Sequence, residues 1–74
     1  MVIKVRLFAT FREGRFKKKE IEFSEAGSLS GLLGQLEIPE ESVGVLLVNG
    51  KDAGGDYKLA ANDVVSIFPL IGGG

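Results

Sequence analysis

The chain has 74 residues, enough for one small domain with a modest core and little spare apolar surface to wall a deep substrate pocket. It contains no cysteine and no histidine, so thiolate nucleophiles, disulfides, thiolate metal sites and the side chain that titrates nearest neutral pH are all missing. These missing side chains disfavour an enzyme. The net charge of −1 lacks the basic excess that phosphate contacts need, which disfavours a nucleic-acid-binding protein.

The first third of the sequence predicts an antiparallel β-hairpin. Residues 2–10 alternate between apolar and charged or exposed positions, which is typical of a half-buried strand. The apolar set of this strand is Ile3, Val5, Leu7 and Ala9. A second alternating segment follows at residues 17–23, after a short connection in which Gly14 can take a turn conformation. The short connection predicts that the two strands pair with each other.

A single amphipathic helix is predicted after this hairpin. Its apolar residues recur at helical spacing and therefore fall on one stripe. They are Leu29, Leu32, Leu33 and Leu36. Ser28 is predicted as the N-cap, and Pro39 is predicted to end the helix after Ile38. Two glycines inside the segment lower its helix propensity, so we expect the leucine stripe to be held by packing on a sheet.

The second half of the sequence predicts three further strands. An apolar run at residues 43–48 leads into Asn49-Gly50, a strong hairpin turn, and a short strand leaves the turn at 51–53. Asn62-Asp63 forms the turn before the last strand, which Pro69 ends. The order β-β-α-β-β-β predicts an α+β fold, a mixed sheet of about five strands with one helix packed across a face. This order is compatible with the β-grasp, or ubiquitin-like, layout.

Charge is distributed unevenly along the chain. Residues 1–19 hold seven basic residues and one acidic residue, a net charge of +6, whereas residues 20–74 carry −7. Phe11 and Phe16 are interleaved with the basic residues, a pattern that suits an RNA-stacking platform or a surface that docks an acidic protein. We favour plain solvated surface charge as the interpretation of this pattern. Because the whole chain is net acidic, docking of an acidic protein is at least as well supported as binding of nucleic acid.

The sequence shows no targeting or membrane-spanning pattern. Charged residues interrupt the apolar run from Met1 to Arg6, unlike the apolar core of a signal peptide. No apolar stretch approaches the ~20 residues that a membrane span needs. We therefore expect a cytoplasmic protein that does not bind membranes and is a monomer when alone.

The C-terminal segment is the most unusual feature of the sequence. After Pro69 the chain passes through two apolar residues to three glycines, so we expect residues 1–71 to form a single domain and residues 72–74 a flexible tail. A glycine tail could enter a channel too narrow for side chains and present only its terminal carboxylate. Since a free carboxylate is a poor electrophile, another protein would have to activate it, most simply with ATP. The adenylate could then accept an amine or sulfide.

The apolar residues beside this tail predict a docking surface. Phe68, Leu70 and Ile71 are more apolar than a chain end requires. We therefore expect a partly exposed patch at these positions, which a partner protein would cover.

Three segments of the chain resemble the MoaD/ThiS-type β-grasp sulfur carriers, a family that includes the small subunit of molybdopterin synthase and the thiamine sulfur carrier. The segments are FATFRE at residues 8–13, VNG at residues 48–50 and DVVSIFP at residues 63–69, which leads into the terminal glycines. They look most like the molybdopterin branch. The triple glycine looks more like some thiamine carriers, and Leu70 stands where the molybdopterin branch usually has a second proline.

The resemblance implies a non-catalytic carrier that binds no cofactor of its own. A ubiquitin-activating-enzyme-like adenylyltransferase would use ATP to adenylate Gly74, and sulfur would then be installed as a thiocarboxylate. The molybdopterin synthase large subunit would consume that sulfur, or thiazole synthase in the thiamine branch. Gly72 and Gly73 would complete the tail. The partner-binding residues would be Phe68, Pro69, Leu70 and Ile71.

Two further points stay open from the sequence. Gly74 could itself be activated, or it could be trimmed first to expose Gly73. The chain could also be a ubiquitin-like modifier that is joined to lysines of other proteins, rather than a sulfur carrier.

Overall fold

The computed structural model describes residues 1–70 of the chain. These residues contain five strands and one α-helix. The strands are β1 (Val2–Leu7), β2 (Lys18–Glu22), β3 (Val43–Val48), β4 (Lys51–Asp52) and β5 (Val64–Pro69), and the helix is α1 (Leu29–Gln35). Short 3-10 helices lie at Ala9–Arg12 and Glu40–Ser42. Within residues 1–70, no helix is long and apolar enough to cross a membrane. The predicted domain end at residue 71 and the predicted tail at residues 72–74 lie outside the described residues.

The sheet is mixed, with the spatial order β2-β1-β5-β3-β4. At its centre β1 and β5 run parallel, with Val5 opposite Val65 and Leu7 opposite Ile67. The other three pairings of the described strands are antiparallel, including the predicted β1–β2 and β3–β4 hairpins. This arrangement confirms the predicted α+β fold with the β-grasp layout.

The core lies between α1 and one face of the sheet. Alternate side chains of β1 and β5 point toward α1 and have lost all contact with solvent, as have the leucines of the helix. The fully buried core residues are Ile3, Val5, Leu7, Leu29, Leu32, Leu33, Val65 and Ile67. Each such side chain contributes about 1.5–3 kcal/mol when it leaves water, so this cluster dominates the stability of the domain. The opposite face of the sheet, called the outer face below, does not contribute to this core.

The N-terminus of α1 is capped as predicted. The Ser28 hydroxyl accepts a hydrogen bond from the Gly31 N–H at 3.2 Å, which satisfies one of the amides that the first turn leaves unpaired. The leucines predicted at the core face are buried or half-buried. The helix therefore depends on its leucine stripe, because the internal glycines give it little intrinsic stability.

The end of α1 differs from the prediction, because the helix stops four residues before Pro39. The Ile38 N–H donates to the Leu33 carbonyl at 2.9 Å, and the Glu37 N–H donates to the Gly34 carbonyl at 3.1 Å. Glu37 has a φ of 60°, which is the left-handed conformation of a Schellman cap. The prediction that Pro39 ends the helix is therefore wrong. The chain turns earlier, and this turn places Ile38 in the core.

A second correction concerns the end of β1. The alternation predicted Ala9 on the core face, but the strand ends at Leu7 and Ala9 is exposed at a φ of 53°. The 3-10 helix that follows instead inserts Phe11 into the core, where it is 7% exposed. Phe11 is therefore unavailable for stacking on RNA bases, which removes half of the aromatic platform that the sequence pattern offered.

A polar network fixes the start of β5. Asp63, which is 8% exposed, accepts from the Asn49 side-chain amide at 2.9 Å and from the Ala60 N–H at 2.8 Å. The Asn49 side-chain oxygen accepts in turn from the Val64 N–H at 2.9 Å. The β3–β4 turn and the turn before β5 therefore hold each other in place.

Replacing Asp63 with alanine is expected to lower the free energy of unfolding by about 1–3 kcal/mol, because two donors lose their acceptor in a partly buried position. Urea denaturation followed by circular dichroism measures this change. Asp56→Ala is the matched control, since Asp56 is exposed and the change should stay within about 0.5 kcal/mol. Equal losses in the two variants would contradict a stabilising role for the network.

Candidate functional site

The outer face of the sheet is apolar on one side and charged on the other. The charged side lies over β1 and β2, where Lys4, Lys18, Lys19 and Glu20 line a polar depression. The apolar side lies over β3 and β5, where the chain approaches its C-terminus. A face divided in this way offers one region for apolar contact and a neighbouring region for charge complementarity.

The apolar side forms an open groove of about 450 Å³, called the apolar groove below. It is lined by Gly44, Val45, Leu47, Phe68, Pro69 and Leu70. Val45 is 42% exposed and Leu70 is 68% exposed, so large apolar side chains face solvent here. None of the six lining residues carries a nucleophilic or titratable side chain. These described residues are therefore suited to binding another apolar surface.

Phe68 lies on the outer face and stacks on Phe8. The two ring centroids are 4.1 Å apart and the rings are 10° from parallel. The adjacent residue Ile67 points the other way, into the core, so Phe68 is a surface residue that is half-buried by its aromatic neighbour. Such a pair contributes about 0.5–1.5 kcal/mol beyond its buried area and holds the Phe68 ring in one orientation at the groove.

Two arginines border this aromatic pair. The guanidinium carbons of Arg6 and Arg12 lie over the Phe8 ring, 5.4 Å and 5.3 Å from its centroid. Arg12 is also anchored by its Nε–H, which donates to the Leu7 carbonyl at 2.7 Å. Part of the basic N-terminal segment is thus held beside the apolar groove, where it can pair with acidic groups of a bound partner.

The last described residues are tied to β3 and to the residue that precedes it. β5 ends at Pro69, as predicted, and the Leu70 N–H then donates to the Ser42 carbonyl at 2.8 Å. The chain therefore remains attached to the sheet one residue past the strand. Ile71 and the three terminal glycines, Gly72, Gly73 and Gly74, lie outside the described residues.

The structure brings three of the predicted partner-binding residues into one groove, and it adds residues that the sequence reading missed. Phe68, Pro69 and Leu70 are contiguous there. Val45 and Leu47 were missed because β3 is apolar at nearly every position, so no alternation marked its outer side. Phe8 could have been found from the sequence, because it is the first residue of the FATFRE segment that carries part of the family resemblance.

The sequence matches the model of the ThiS family over residues 5–74, which includes the second half of the first strand, the groove residues and the three terminal glycines. A comparison with curated proteins gives no significant match. The family match covers nearly the whole chain.

Three solved structures share the fold over nearly the full length of both chains. A Pyrococcus furiosus protein described as a candidate molybdopterin converting factor subunit 1 is 27% identical, with a TM-score of 0.79 over 96% of this chain and 99% of that one. Small archaeal modifier protein 1 of Haloferax volcanii is 19% identical, with a TM-score of 0.76 over 95% and 98%. A chain from the Helicobacter pylori complex of molybdopterin-converting factor subunits 1 and 2 is 23% identical, with a TM-score of 0.67 over 100% of both chains.

Two valines of β3 test which side of the strand faces solvent. Val45→Asp is expected to leave the domain folded with a cost of about 1 kcal/mol, because its side chain is 42% exposed. Val48→Asp is expected to cost more than about 3 kcal/mol, because it places a carboxylate at a position that is 4% exposed. Urea denaturation measures both values. Similar losses in the two variants would contradict the outward position of Val45.

Proposed function

Because the chain belongs to the ThiS family of small ubiquitin-fold proteins, we propose that it is a sulfur carrier whose C-terminal carboxylate becomes a thiocarboxylate. The sulfur is then donated in molybdopterin biosynthesis. The chain itself is a non-catalytic subunit that is the substrate of an activating enzyme and the donor to a synthase.

The observation that carries this proposal is the junction between the apolar groove and the glycine-ended segment. The groove offers binding surface without reactive side chains, and β5 delivers the chain from this groove toward Ile71 and residues 72–74. Fully extended, the four residues beyond Leu70 reach about 13–14 Å at ~3.3–3.6 Å each. The domain would act as the part that is bound, and the Gly74 carboxylate as the part that reacts.

The chemistry requires two steps on the activating partner. A carboxylate oxygen of Gly74 attacks the α-phosphorus of ATP, and pyrophosphate leaves, which gives an acyl-adenylate. A sulfide-level sulfur nucleophile then attacks the acyl carbon, and AMP leaves with the original carboxylate oxygen. The product is a thiocarboxylate, whose sulfur is nucleophilic. ATP is thus a substrate of the partner, and no cofactor of this chain is required.

Two partners would use the apolar groove in turn. The first is a ubiquitin-activating-enzyme-like adenylyltransferase, and the second is the molybdopterin synthase large subunit. The second assignment is supported by the Helicobacter pylori structure, which is a complex of subunits 1 and 2 of a molybdopterin-converting factor. The exposed side chains of Val45 and Leu70 suit an apolar partner surface, and Arg6 and Arg12 suit acidic residues at its rim.

Two other functions have specific support. The family match and the triple glycine favour a thiamine-thiazole sulfur carrier, for which thiazole synthase would consume the sulfur. Likeness to a small archaeal modifier protein favours a modifier conjugated to lysines. Supplying the thiocarboxylated chain to each synthase separates the two sulfur pathways, and a search for glycyl-lysine remnants in digests of the source cells tests conjugation.

Thiocarboxylate formation is expected when the chain is incubated with ATP, a sulfur source and the cognate activating enzyme. Intact-mass measurement should then show an increase equal to the exchange of one oxygen for one sulfur. Fragmentation of the intact chain should locate the change at Gly74, or at Gly73 if the chain is trimmed first. A variant extended beyond Gly74 by residues that cannot be trimmed is the control and should stay unmodified. An unchanged wild-type chain beside an active enzyme would falsify the proposal.

Docking through the apolar groove is expected to fail when a charge is placed in it. Val45→Asp should weaken binding to the activating enzyme at least tenfold, or about 1.4 kcal/mol, because the carboxylate must lose its hydration on binding. Val2→Asp is the matched control, since Val2 is also exposed, at 36%, and does not line the groove. Isothermal calorimetry measures both affinities. Equal affinities for the two variants would exclude the groove as the docking site.

A further inference from the structure

β3 contains one residue more than the segment of β5 that it faces. Val43 lies opposite Pro69 and Val45 lies opposite Phe68, so Gly44 is the extra residue of a β-bulge. A bulge of this kind bends the strand that contains it and increases the local twist. This one lies at the end of β5, where the chain leaves the sheet.

The end of β5 passes so close to Gly44 that only glycine fits there. A Cβ on Gly44 would lie 2.8 Å from the Pro69 carbonyl oxygen and 3.0 Å from the Leu70 Cα. Both are backbone atoms, which cannot move aside as the tip of a flexible side chain can. Gly44 does not have a positive φ, so the requirement comes from the neighbouring chain and not from its own conformation.

A hydrogen bond also holds Leu70 to the chain just before the bulge. The Leu70 N–H donates to the Ser42 carbonyl at 2.8 Å. Residues 69–70 therefore have a close backbone contact at Gly44 and a hydrogen bond at Ser42. Together these two contacts set the direction of the chain at Leu70 relative to the apolar groove.

We propose that Gly44 is a positioning residue, whose missing side chain lets the chain leave the sheet at the angle that delivers the terminal carboxylate to the activating enzyme. This inference rests on the proposed function. If the domain docks through the groove, a fixed direction at Leu70 determines where residues 71–74 start and so limits the volume that the carboxylate can reach. Such preorganisation raises the rate of the chemical step and does not require tighter docking.

Gly44→Ala tests this role in steady-state thiocarboxylation with the cognate activating enzyme. The expected result is a fall in kcat of roughly 10- to 100-fold with KM within about twofold of wild type, because misplacing a reacting group by about 1 Å has effects of this size. Gly34→Ala is the matched control, since a Cβ at Gly34 meets nothing within 4 Å, and it should leave both constants unchanged. A rise in KM alone would show that Gly44 only lines the docking surface and would overturn the proposal, as would two unchanged constants.

A second variant avoids any loss of folding caused by a new Cβ. A chain of 74 residues can be made by chemical ligation, so the amide of Leu70 can be replaced by an ester. The ester removes the N–H that donates to Ser42 and keeps every side chain. It is expected to lower kcat as Gly44→Ala does, again with little change in KM. An ester chain with wild-type kcat would overturn the proposal.

Hydrogen exchange on the free protein separates this inference from the proposed function. In wild type the Leu70 amide should exchange slowly, and in Gly44→Ala it should exchange faster. The Asn49 amide, which donates to the Val64 carbonyl at 2.8 Å at the other end of the β3–β5 pair, should be unchanged. Unaltered exchange at Leu70 would overturn the positioning role whatever the enzyme assays give. A wild-type chain that is never thiocarboxylated, with altered exchange at Leu70, would instead overturn the function.

Discussion

The parallel pairing of β1 with β5 is the constraint on which the rest of the structure depends. Leu7 lies opposite Ile67 in this pair, and both are fully buried against the helix. Because side chains alternate along extended backbone, Phe68 of β5 and Phe8, which directly follows β1 and is still extended, point to the outer face and stack there. One register thus closes the core on one side and builds the aromatic pair of the groove on the other. It also places the C-terminal strand in the middle of the sheet, with a neighbour on each side.

This central position fits the function proposed for a chain without cysteine or histidine. β1 pairs with β5 from Val64 to Ile67 and β3 pairs with it from Val65 to Pro69, so the end of β5 is held by β3. The apolar groove provides binding surface, and the bulge at Gly44 sets the direction of the chain. In the proposed function the domain contributes docking and orientation, the reactive group is the carboxylate of Gly74, and the catalytic groups belong to the partners.

The basic N-terminal segment shows why burial has to be known before a charge pattern is interpreted. In the sequence, Phe11 and Phe16 among basic residues look like a base-stacking platform. In the fold, Phe11 enters the core, whereas Arg6 and Arg12 are held over Phe8 beside the groove. The Phe11 ring is thus lost to base stacking, and the two guanidinium groups border an apolar surface instead. The charge asymmetry is real, and its place in the fold favours an acidic rim on a protein partner.

Local patterns in the sequence were sufficient for most elements. The alternation in β1, the leucine stripe capped by Ser28 and the turn at Asn49-Gly50 each reflect interactions between residues close in the chain. Three features could not be predicted from the sequence. They are the β1–β5 register, the side of β3 that faces outward and the bulge at Gly44. They are decided by contacts between residues far apart in sequence, where several pairings satisfy the same local pattern and only packing of the whole core selects one.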